Sequence, residues 1–409
     1  MPHTPISFND TEIAFTPKST KELKQAKFLF ALMGYNALVK LGTRLTPWAI
    51  RIGLPIKGII RNTIFKQFVG GESLAETAQV ATKLAQHNVQ VILDYGVEGG
   101  DYNAATLDHA SDQFVQVITY AATQPNIPYI SIKVTGIARF ALLELLDAYM
   151  HQTNEPTLIK KYTAALQLLS TTEQAEWQQV ILRLTHICNT AQQHHVGVLV
   201  DAEETWIQDP VDALTMLMMD AYNKTKPTIY NTIQLYRHDR LSFLQDSTKA
   251  ATERNFILGV KLVRGAYMEK ESTRANNKGY TNPIQPSKAT TDNDYNAAIA
   301  WCVQHIHITA FIVASHNEKS NLYTTQLLIE AGHNLRHAHV HFSQLYGMSD
   351  NITFNLANAG CSVSKYLPFG PIKDVIPYLM RRAQENSSVS GQTGRELSLI
   401  KKELARRKQ

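Results

Sequence analysis

The sequence has few cysteines, and their spacing argues against two common kinds of site. Its 409 residues include Cys188, Cys302 and Cys361 and no CxxC pair. An odd number of cysteines without metal-ligand spacing indicates neither a disulfide framework nor a structural zinc site. We therefore expect a reducing, cytoplasmic compartment.

Long apolar runs are also missing near the start of the chain. The longest there, Phe28 to Val39, is too short to cross a bilayer, and Met1 to Lys18 is polar and rich in Pro and Thr. We expect no membrane span and no signal peptide.

With 44% hydrophobic and 18% charged residues, the composition is that of an ordinary globular protein. The net charge of +5 does not indicate a nucleic-acid partner.

Acidic residues are absent from Leu23 to Gly71, although the segment is rich in cations and large apolar side chains. The cations are Lys24, Lys27, Lys40, Arg44, Arg51, Lys57, Arg61 and Lys66, and the apolar residues between them include Phe28, Phe30, Trp48 and Phe65. A basic amphipathic segment of this kind can lie on an anionic membrane surface. It can equally be a helical arm that packs on the main domain with its basic face in solvent. The sequence leaves both interpretations open.

Short β-branched runs alternate with segments of helical periodicity over most of the chain. The eight runs are Val89–Tyr95, Tyr129–Val134, Val196–Asp201, Thr228–Leu235, Ile257–Val263, Thr309–Ser315, Ala338–Phe342 and Cys361–Tyr366. Eight strands alternating with helices predict an α/β fold of the (β/α)8 TIM-barrel type. The second choice is a doubly wound open sheet, but the glycine-rich turn it would need after its first strand is poorly matched by Gly96 to Gly100.

The predicted domain organisation has three parts. Residues 1–85 form an N-terminal helical arm, residues 86–390 form the barrel, and residues 391–409 form a charged tail that we expect to be solvated or frayed. The gap between the second and third strands is long enough for two or three helices, so we predict a helical insertion there. Residues 271–287, rich in Asn, Pro, Gly and Lys, follow the fifth strand and suggest a mobile lid.

Polar residues end almost every predicted strand, where a barrel of this class carries its chemistry. They are Lys133, Asp201, Gln234, Tyr236, Lys261, Arg264, Ser315, His316, Gln344, Lys365 and Tyr366. Lysines and an aspartate at the last residues of otherwise apolar runs are not expected of random loops. We therefore predict that they converge on a catalytic mouth.

The final predicted helix adds a second group of functional residues. Tyr378, Arg381, Arg382 and Glu385 fall at i, i+3, i+4 and i+7, so they share one helical face. Two adjacent arginines repel each other, so they are unfavourable as packing residues. Their guanidinium groups can, however, donate several hydrogen bonds to one small carboxylate. The turn Pro368 to Pro371 is predicted to start this helix.

The predicted mouth is cationic and therefore favours an anionic substrate, an anionic cofactor or both. Gly265 and Ala266 would allow backbone to approach a flat ligand or a pyrophosphate. Gln234 and His316 can hydrogen-bond a heterocycle or phosphates. Three tyrosines could wall a small apolar ring: Tyr267, Tyr366 and Tyr378.

A set of short motifs, taken together and in this order, resembles the catalytic domain of the proline dehydrogenase (proline oxidase) family of FAD-dependent barrel enzymes. The motifs are Ile92-Leu-Asp-Tyr95, Ile132-Lys133-Val-Thr, Asp201-Ala-Glu-Glu204, Gln234-Leu-Tyr236, Lys261-Leu-Val-Arg264-Gly-Ala-Tyr267, Ser315-His-Asn317, Gln344-Leu-Tyr-Gly-Met348, Tyr366-Leu-Pro-Phe-Gly370 and Tyr378-Leu-Met-Arg-Arg-Ala-Gln-Glu385-Asn386. The resemblance runs from about Phe68 to Asn386. In length and in its basic arm the chain resembles stand-alone members, not those fused to an aldehyde dehydrogenase.

The resemblance implies oxidation of L-proline to Δ1-pyrroline-5-carboxylate, with the hydride passing to FAD and the electrons then to a membrane quinone. It implies that Lys133, Arg381 and Arg382 hold the substrate carboxylate. Tyr267, Leu345, Tyr366 and Tyr378 would enclose the ring. Asp201 would orient Lys133 and balance the cations, and Lys261 would lie near the flavin. The residues implied to contact FAD are Ala202, Gln234, Val263, Arg264, Gly265, Ala266, Ser315, His316 and Glu385.

Other functions remain open from the residues themselves. Lys133 with Asp201 could be the Schiff-base lysine and partner of a barrel aldolase. A non-enzymatic, membrane-associated scaffold with a degenerate barrel is another possibility. His339 and His341, which alternate onto one strand face, and the Asp201 to Glu204 motif could be considered as metal ligands. We expect packed or solvent-facing histidines and a salt-bridged strand end instead, and therefore no metal site.

Overall fold

The eight alternating runs form a closed barrel of parallel strands. The structure, a computed structural model, describes residues 6–35, 37, 39, 42, 57–96, 103–388 and 392–409. The strands are β1 (Gln90–Tyr95), β2 (Tyr129–Ile132), β3 (Gly197–Val200), β4 (Ile229–Gln234), β5 (Leu258–Val263), β6 (Thr309–Ala314), β7 (Val340–Leu345) and β8 (Val363–Phe369). They neighbour one another in chain order around the closed barrel. The predicted (β/α)8 fold is confirmed, and the alternative of an open sheet is wrong. Residues 97–100 of the glycine-rich turn lie outside the described residues.

Helices precede, separate and follow the strands. Before β1 they are Thr11–Phe15, Thr20–Met33, Lys57–Ile60, Lys66–Phe68 and Leu74–Ala85, with a π-helical turn at Arg61–Phe65. Between strands they are Ala104–Ala122, Phe140–Gln152, Leu158–Leu166, Thr171–His194, Gln208–Tyr222, Arg240–Arg254, Met268–Lys278, Lys288–Gln304, Glu318–Glu330 and Asp350–Asn358. Short 3-10 turns occur at Val134–Gly136 and Thr205–Ile207. Ile372–Ser388 and Gln392–Arg406 end the chain.

The predicted insertion between β2 and β3 is confirmed as three helices. Their ends carry recognisable local signals. Ser170 and Glu173 form a reciprocal capping box at the start of Thr171–His194, and His195 ends that helix with a left-handed conformation, φ 56°.

The last two strands extend further along the chain than predicted. The apolar runs stop at Phe342 and Tyr366, whereas β7 continues to Leu345 and β8 to Phe369. Pro368 is therefore a strand residue, and the helix begins at Ile372. The polar residues Gln344 and Lys365 interrupt the apolar pattern, yet both are buried because other elements supply their partners.

The C-terminal segment is a packed helix, so the prediction of a solvated or frayed tail is wrong. Leu399 and Ile400 in helix Gln392–Arg406 are buried, as are the carboxyl groups of Glu396 and Glu403. Arg407 donates to the Phe15 and Lys18 carbonyls at 2.9 and 2.7 Å. Contacts with the N-terminal region therefore hold this helix in place.

The segment predicted as a lid is largely tied down. Its first half belongs to helix Met268–Lys278, in which the buried Glu271 accepts hydrogen bonds from the Thr205 backbone and hydroxyl, both 2.7 Å. Further on, Ile284 forms an isolated bridge with Arg237. The segment is therefore a helix and an anchored loop, and its mobility remains a prediction.

The described part of the N-terminal arm has a buried face and an exposed apolar one. Leu23, Ala26 and Phe30 of helix Thr20–Met33 are buried, while Phe28 is 65% exposed. Lys40, Arg44, Arg51 and Trp48 lie outside the described residues. Among the described helices, none has the length and hydrophobicity to span a bilayer.

Two compact units divide the chain. One comprises Met1–Gly96 with Phe342–Gln409, and the other comprises Val97–His341. The predicted three-part division of the chain stays a prediction.

Candidate active site

A carboxylate held by two lysines lies at the ends of β2, β3 and β5. Asp201 Oδ1 is hydrogen-bonded to Lys261 Nζ and, at 2.7 Å, to the Ser131 hydroxyl. Asp201 Oδ2 lies 3.8 Å from Lys133 Nζ. Burial by itself would raise the pKa of Asp201, but the charges of Lys261 and Lys133 outweigh it, so this pKa is lowered. The cluster therefore places an ionised carboxylate between two lysine side chains.

Glu203 is a second buried carboxyl group beside this cluster. The Thr135 hydroxyl lies 2.8 and 3.0 Å from its two carboxyl oxygens. Burial is the main cause that raises the pKa of Glu203 to about 7, and the nearby charge of Lys133 opposes the rise. Sequence reasoning missed a role for Glu203 because a charged residue beside Asp201 and Glu204 gives no sign of being buried.

Gln234, the last residue of β4, presents an acceptor to which no described residue donates. Its Nε2 donates to the Glu203 carbonyl at 2.9 Å, which fixes the orientation of the amide. Its Oε1 is buried and accepts no hydrogen bond within the described residues. A buried acceptor without a donor costs about 1–3 kcal/mol, so the site is suited to a ligand that brings an N–H or O–H group.

Arg264 follows β5 and links the ends of β5 and β6. It donates to Asp292 at 2.7 Å, to the Ser315 hydroxyl at 2.7 Å and to the Ser320 hydroxyl at 3.0 Å. Its guanidinium also stacks 4.2 Å from the centroid of the Tyr295 ring. These contacts hold a cation and two hydroxyl groups together at this edge of the barrel.

The chain around Gly265 leaves accessible backbone next to Arg264. Gly265 and Ala266 are exposed, and Gly265 has φ +142°. A Cβ at Gly265 would lie 2.3 Å from the Tyr236 ring, so only glycine fits this close approach. Ala202, Val263, Tyr267 and His316 are partly exposed residues of the same unit and could be reached by a ligand.

In the other unit, two predicted ring-wall residues are neighbours. Leu345 of β7 is the register partner of Tyr366 of β8. Opposed residues of adjacent strands project to the same face, so these two side chains lie side by side. Both are partly exposed in the structure.

Helix Ile372–Ser388 carries the predicted arginines on one face, as the spacing requires. Arg382 is buried, and its guanidinium lies 5.2 Å from the centroid of the Tyr378 ring. Arg381 is partly exposed. The backbone of Glu385 belongs to the same helix, but its side chain lies outside the described residues.

Two strand-end residues named from the sequence have other roles. Lys365 is 1% exposed and pairs with Asp350 at 2.9 Å. Gln344 is buried and accepts from the Thr353 hydroxyl at 2.8 Å. Each belongs to the packing of β7 and β8 against helix Asp350–Asn358, on the strand face opposite to its neighbour Tyr366 or Leu345.

The residues considered as metal ligands have other partners. Glu204 pairs with Lys270 at 2.7 Å, and Asp201 pairs with the two lysines, so the motif is a salt-bridged strand end. His341 is buried against the Tyr129 ring, 5.1 Å between centroids. His339 Nδ1 lies 2.6 Å from the Ile306 carbonyl.

The barrel with its charged strand ends defines a (β/α)8 enzyme, and comparison with known proteins identifies its family. A sequence profile described as "Proline dehydrogenase" matches residues 77–395. The chain is 31% identical to "Proline dehydrogenase 1, mitochondrial" of Dictyostelium discoideum over 97% of this chain and 74% of that protein. It is 32% identical to "Hydroxyproline dehydrogenase" of Xenopus laevis over 98% of this chain and 90% of that protein.

A solved structure shows the same fold. Proline utilization A from Bdellovibrio bacteriovorus aligns with a TM-score of 0.70 at 19% identity, over 95% of this chain. The chain spans about two fifths of that longer protein, since the alignment covers 40% of it. The chain therefore belongs to the proline dehydrogenase family and is an oxidoreductase.

Proposed function

We propose that this chain oxidises L-proline to Δ1-pyrroline-5-carboxylate with FAD as the hydride acceptor. The observation that carries the proposal is the cluster of Asp201 with Lys133 and Lys261 at the strand ends of a barrel of this family. The two lysines place cationic hydrogen-bond donors at this end of the barrel, so the site suits a substrate that has a carboxylate of its own.

The substrate carboxylate would be held by Lys133, Arg381 and Arg382. The position of Arg382 supports this role, because its guanidinium lies 5.2 Å from the centroid of the Tyr378 ring, a residue proposed to enclose the substrate ring. Asp201 would keep Lys133 in place through their 3.8 Å ion pair. Two arginines and a lysine would thus fix the α-carbon of the amino acid.

The residues around Gln234 fit a flavin. The unused buried acceptor Gln234 Oε1 matches a ring N–H of an isoalloxazine, and the exposed backbone at Gly265 and Ala266 allows close approach of a dinucleotide. Arg264, Ser315 and His316 would bind its phosphates. Ala202 and Val263 would contact the ring system, Lys261 would lie near it, and Glu385 would bind another part of FAD. When bound, FAD would supply the hydride acceptor.

The protein would promote the reaction mainly by positioning and by excluding water. Loss of a hydride from the ring carbon requires the ring nitrogen to be a neutral amine, and we assign no dedicated base to it. The carboxylate clamp fixes one side of the substrate, and the ring walls fix the orientation of the pyrrolidine. Leu345 and Tyr366, which are neighbours, would form one wall, and Tyr267 and Tyr378 would complete the enclosure.

Tyr366 would also favour proline over 4-hydroxyproline, because its ring leaves little room for a hydroxyl group on the substrate. The similarity to a protein named hydroxyproline dehydrogenase makes 4-hydroxyproline the second candidate substrate. Comparing kcat/KM for the two amino acids decides between them. A larger value for 4-hydroxyproline would reject this role of Tyr366.

The electrons would pass to a membrane quinone, and the N-terminal arm would make a peripheral contact with the bilayer. Exposed Phe28 (65%), Tyr35 (64%) and Ile59 (67%) support this proposal. The nearby Lys24, Lys27 and Lys57 are exposed cations that suit an anionic surface. Otherwise, we propose a cytoplasmic location.

Purified protein tests the proposal against its two alternatives. We expect a yellow protein that releases FAD on denaturation and reduces a dye or a short-chain quinone when proline is added. A Schiff-base aldolase would instead lack flavin and would be trapped by borohydride with a carbonyl substrate on Lys133. A scaffold would be colourless and inactive with proline.

A further inference from the structure

Four charged side chains, three of them buried, come together near the carboxyl ends of β7 and β8. Lys18 comes from the N-terminal region, Asp350 begins a helix after β7, Lys365 lies in β8, and Glu396 lies in the C-terminal helix. Asp350 pairs with Lys18 at 2.8 Å and with Lys365 at 2.9 Å. Three of these side chains, those of Asp350, Lys365 and Glu396, are at least nine-tenths buried. A group of charges this deeply buried needs tight mutual compensation.

The cluster holds the backbone of the turn that follows β7. The Lys365 ammonium donates to the Met348 carbonyl and, at 3.5 Å, to that of Leu345. The Ser349 N–H donates to Glu396 Oε2 at 3.2 Å. Lys365 of β8 and Glu396 of helix Gln392–Arg406 therefore hydrogen-bond the backbone at both ends of residues 345–349.

The turn needs such support because its conformation is unfavourable. Ser349 has φ +51°, in the left-handed region, which costs a residue with a side chain about 1 kcal/mol or more. Gly347 has φ +79°, and a Cβ there would lie 1.9 Å from the Gln67 carbonyl. Gln67 in turn donates to the Gly347 carbonyl at 2.7 Å. We expect loss of these contacts to loosen the turn.

We propose that Lys365 and Glu396 are positioning residues that set the position of Leu345 against Tyr366, and thereby the fit of the substrate ring. The inference rests on the proposed function, in which Leu345 and Tyr366 form one wall of the ring pocket. Neither charged group touches the substrate. They act through the backbone of residues 345–349, so the C-terminal helix becomes a determinant of substrate affinity and specificity.

Glu396 also makes the support of residues 345–349 dependent on pH. Burial is the main cause that raises the pKa of Glu396 to about 7; the charge of Asp350 adds to it, and the charges of Lys18 and Lys365 oppose it. Ionised Glu396 is the stronger acceptor for the Ser349 N–H. We therefore expect the turn to be held more firmly above pH 7 than below it.

The test compares two buried carboxyl groups of the same helix. Glu396→Leu removes the acceptor for Ser349. Glu403→Leu, the matched control, removes a carboxylate that binds Arg406 and Arg407 at 2.7–3.0 Å. In Glu396→Leu we expect KM for proline to rise at least threefold with kcat changed less than twofold. The kcat/KM ratio of 4-hydroxyproline to proline should also shift, and the amides of residues 345–349 should exchange hydrogen faster. Glu403→Leu should show none of these changes.

Equal changes in the two variants would overturn the inference, because they would indicate only a general loosening of the helix. No change in Glu396→Leu would overturn it as well.

Glu396→Gln provides a milder variant that keeps an acceptor oxygen. Between pH 6 and 8, KM of the wild type should vary at least twofold more than KM of Glu396→Gln, in which the other titrating groups remain. Wild-type protein that did not oxidise proline would refute the proposed function, but faster exchange in Glu396→Leu alone would still support the grip on the turn.

Discussion

Asp201 illustrates how a few residues determine the charge of the site. It is the first residue after β3. It pairs with Lys133, which follows β2, and with Lys261, which lies within β5. The lysines lower its pKa against the effect of burial, so it stays ionised at neutral pH. The two lysines held by Asp201 make the strand ends suited to the carboxylate of an amino acid or to phosphates.

The arginines of helix Ile372–Ser388 are expected to dominate substrate affinity. We predict that Arg381→Met or Arg382→Met lowers kcat/KM for proline at least about tenfold. A charge-assisted hydrogen bond contributes about 1.5–3 kcal/mol, and ~1.4 kcal/mol corresponds to a factor of ten. Lys373→Met removes an exposed cation from the same helix and serves as the control. Steady-state kinetics unchanged in both arginine variants would contradict the clamp.

Gln234 is expected to matter for the cofactor more than for the fold. Gln234→Met should weaken FAD binding about tenfold, measured by flavin fluorescence, because it removes the buried acceptor that the protein leaves unused. Gln344→Met changes another buried strand-end glutamine, whose Oε1 is already bonded to Thr353. It should lower stability and leave FAD affinity unaltered. Equal loss of affinity in the two variants would show that general disturbance is responsible.

At the scale of elements, the strands were predictable because β-branched runs and helical periods are local patterns. All eight runs became strands, and the insertion after β2 was found from the length of the gap alone. The carboxyl end of β7 was missed because Gln344 looks like a loop residue, and that of β8 because Pro368 is typical of a turn. Thr353, which pairs with Gln344, comes from a different element, and local sequence does not show that pairing.

The C-terminal helix was misjudged for the same reason. Its many charges suggested solvent exposure, but Glu396 and Glu403 are buried against the Ser349 N–H and two arginines. The positions of the polar residues at strand ends were predictable, and their roles toward substrate and FAD stay predictions. Glu203 was not predictable, because its burial and its Thr135 partner arise only in the folded barrel.

Packing of this helix makes a direct prediction about stability. Leu399 is 2% exposed, so Leu399→Ala should lower the free energy of unfolding by about 2–5 kcal/mol. Ser398, its exposed neighbour, should tolerate alanine within about 0.5 kcal/mol. Urea denaturation of both variants provides the measurement. A tail that contributed nothing to the fold would give two variants as stable as the wild type.

For the whole molecule, three buried carboxyl groups should shape the pH dependence of stability. Burial raises the pKa of Asp147, Glu203 and Glu396 to about 7 each. Between their ordinary values near 4 and pH 7 the folded protein holds more protons than the unfolded chain, so stability falls as pH rises through this range. Each proton contributes about 1.4 kcal/mol per pH unit.

His341 opposes this trend but only in part. Burial lowers its pKa to about 3, so the unfolded chain takes up a proton there below pH 6.5 and stability falls on acidification. Raised pKa values of Asp212 and Glu271 add to the carboxyl side, and lowered pKa values of His87 and His337 add to the side of His341. Because the large shifts belong to three carboxyl groups and one imidazole, we expect a net decline from about pH 5 to pH 7. Denaturant unfolding at several pH values should show it, and Glu396→Gln should make the decline shallower. Stability that rose steadily over this range would refute the assignment.

The most direct test of the account is anaerobic mixing of the purified protein with L-proline while its visible spectrum is recorded. The account predicts that the flavin band bleaches and that one Δ1-pyrroline-5-carboxylate forms for each flavin reduced. A flavin band that stayed unchanged in the presence of excess L-proline would contradict it.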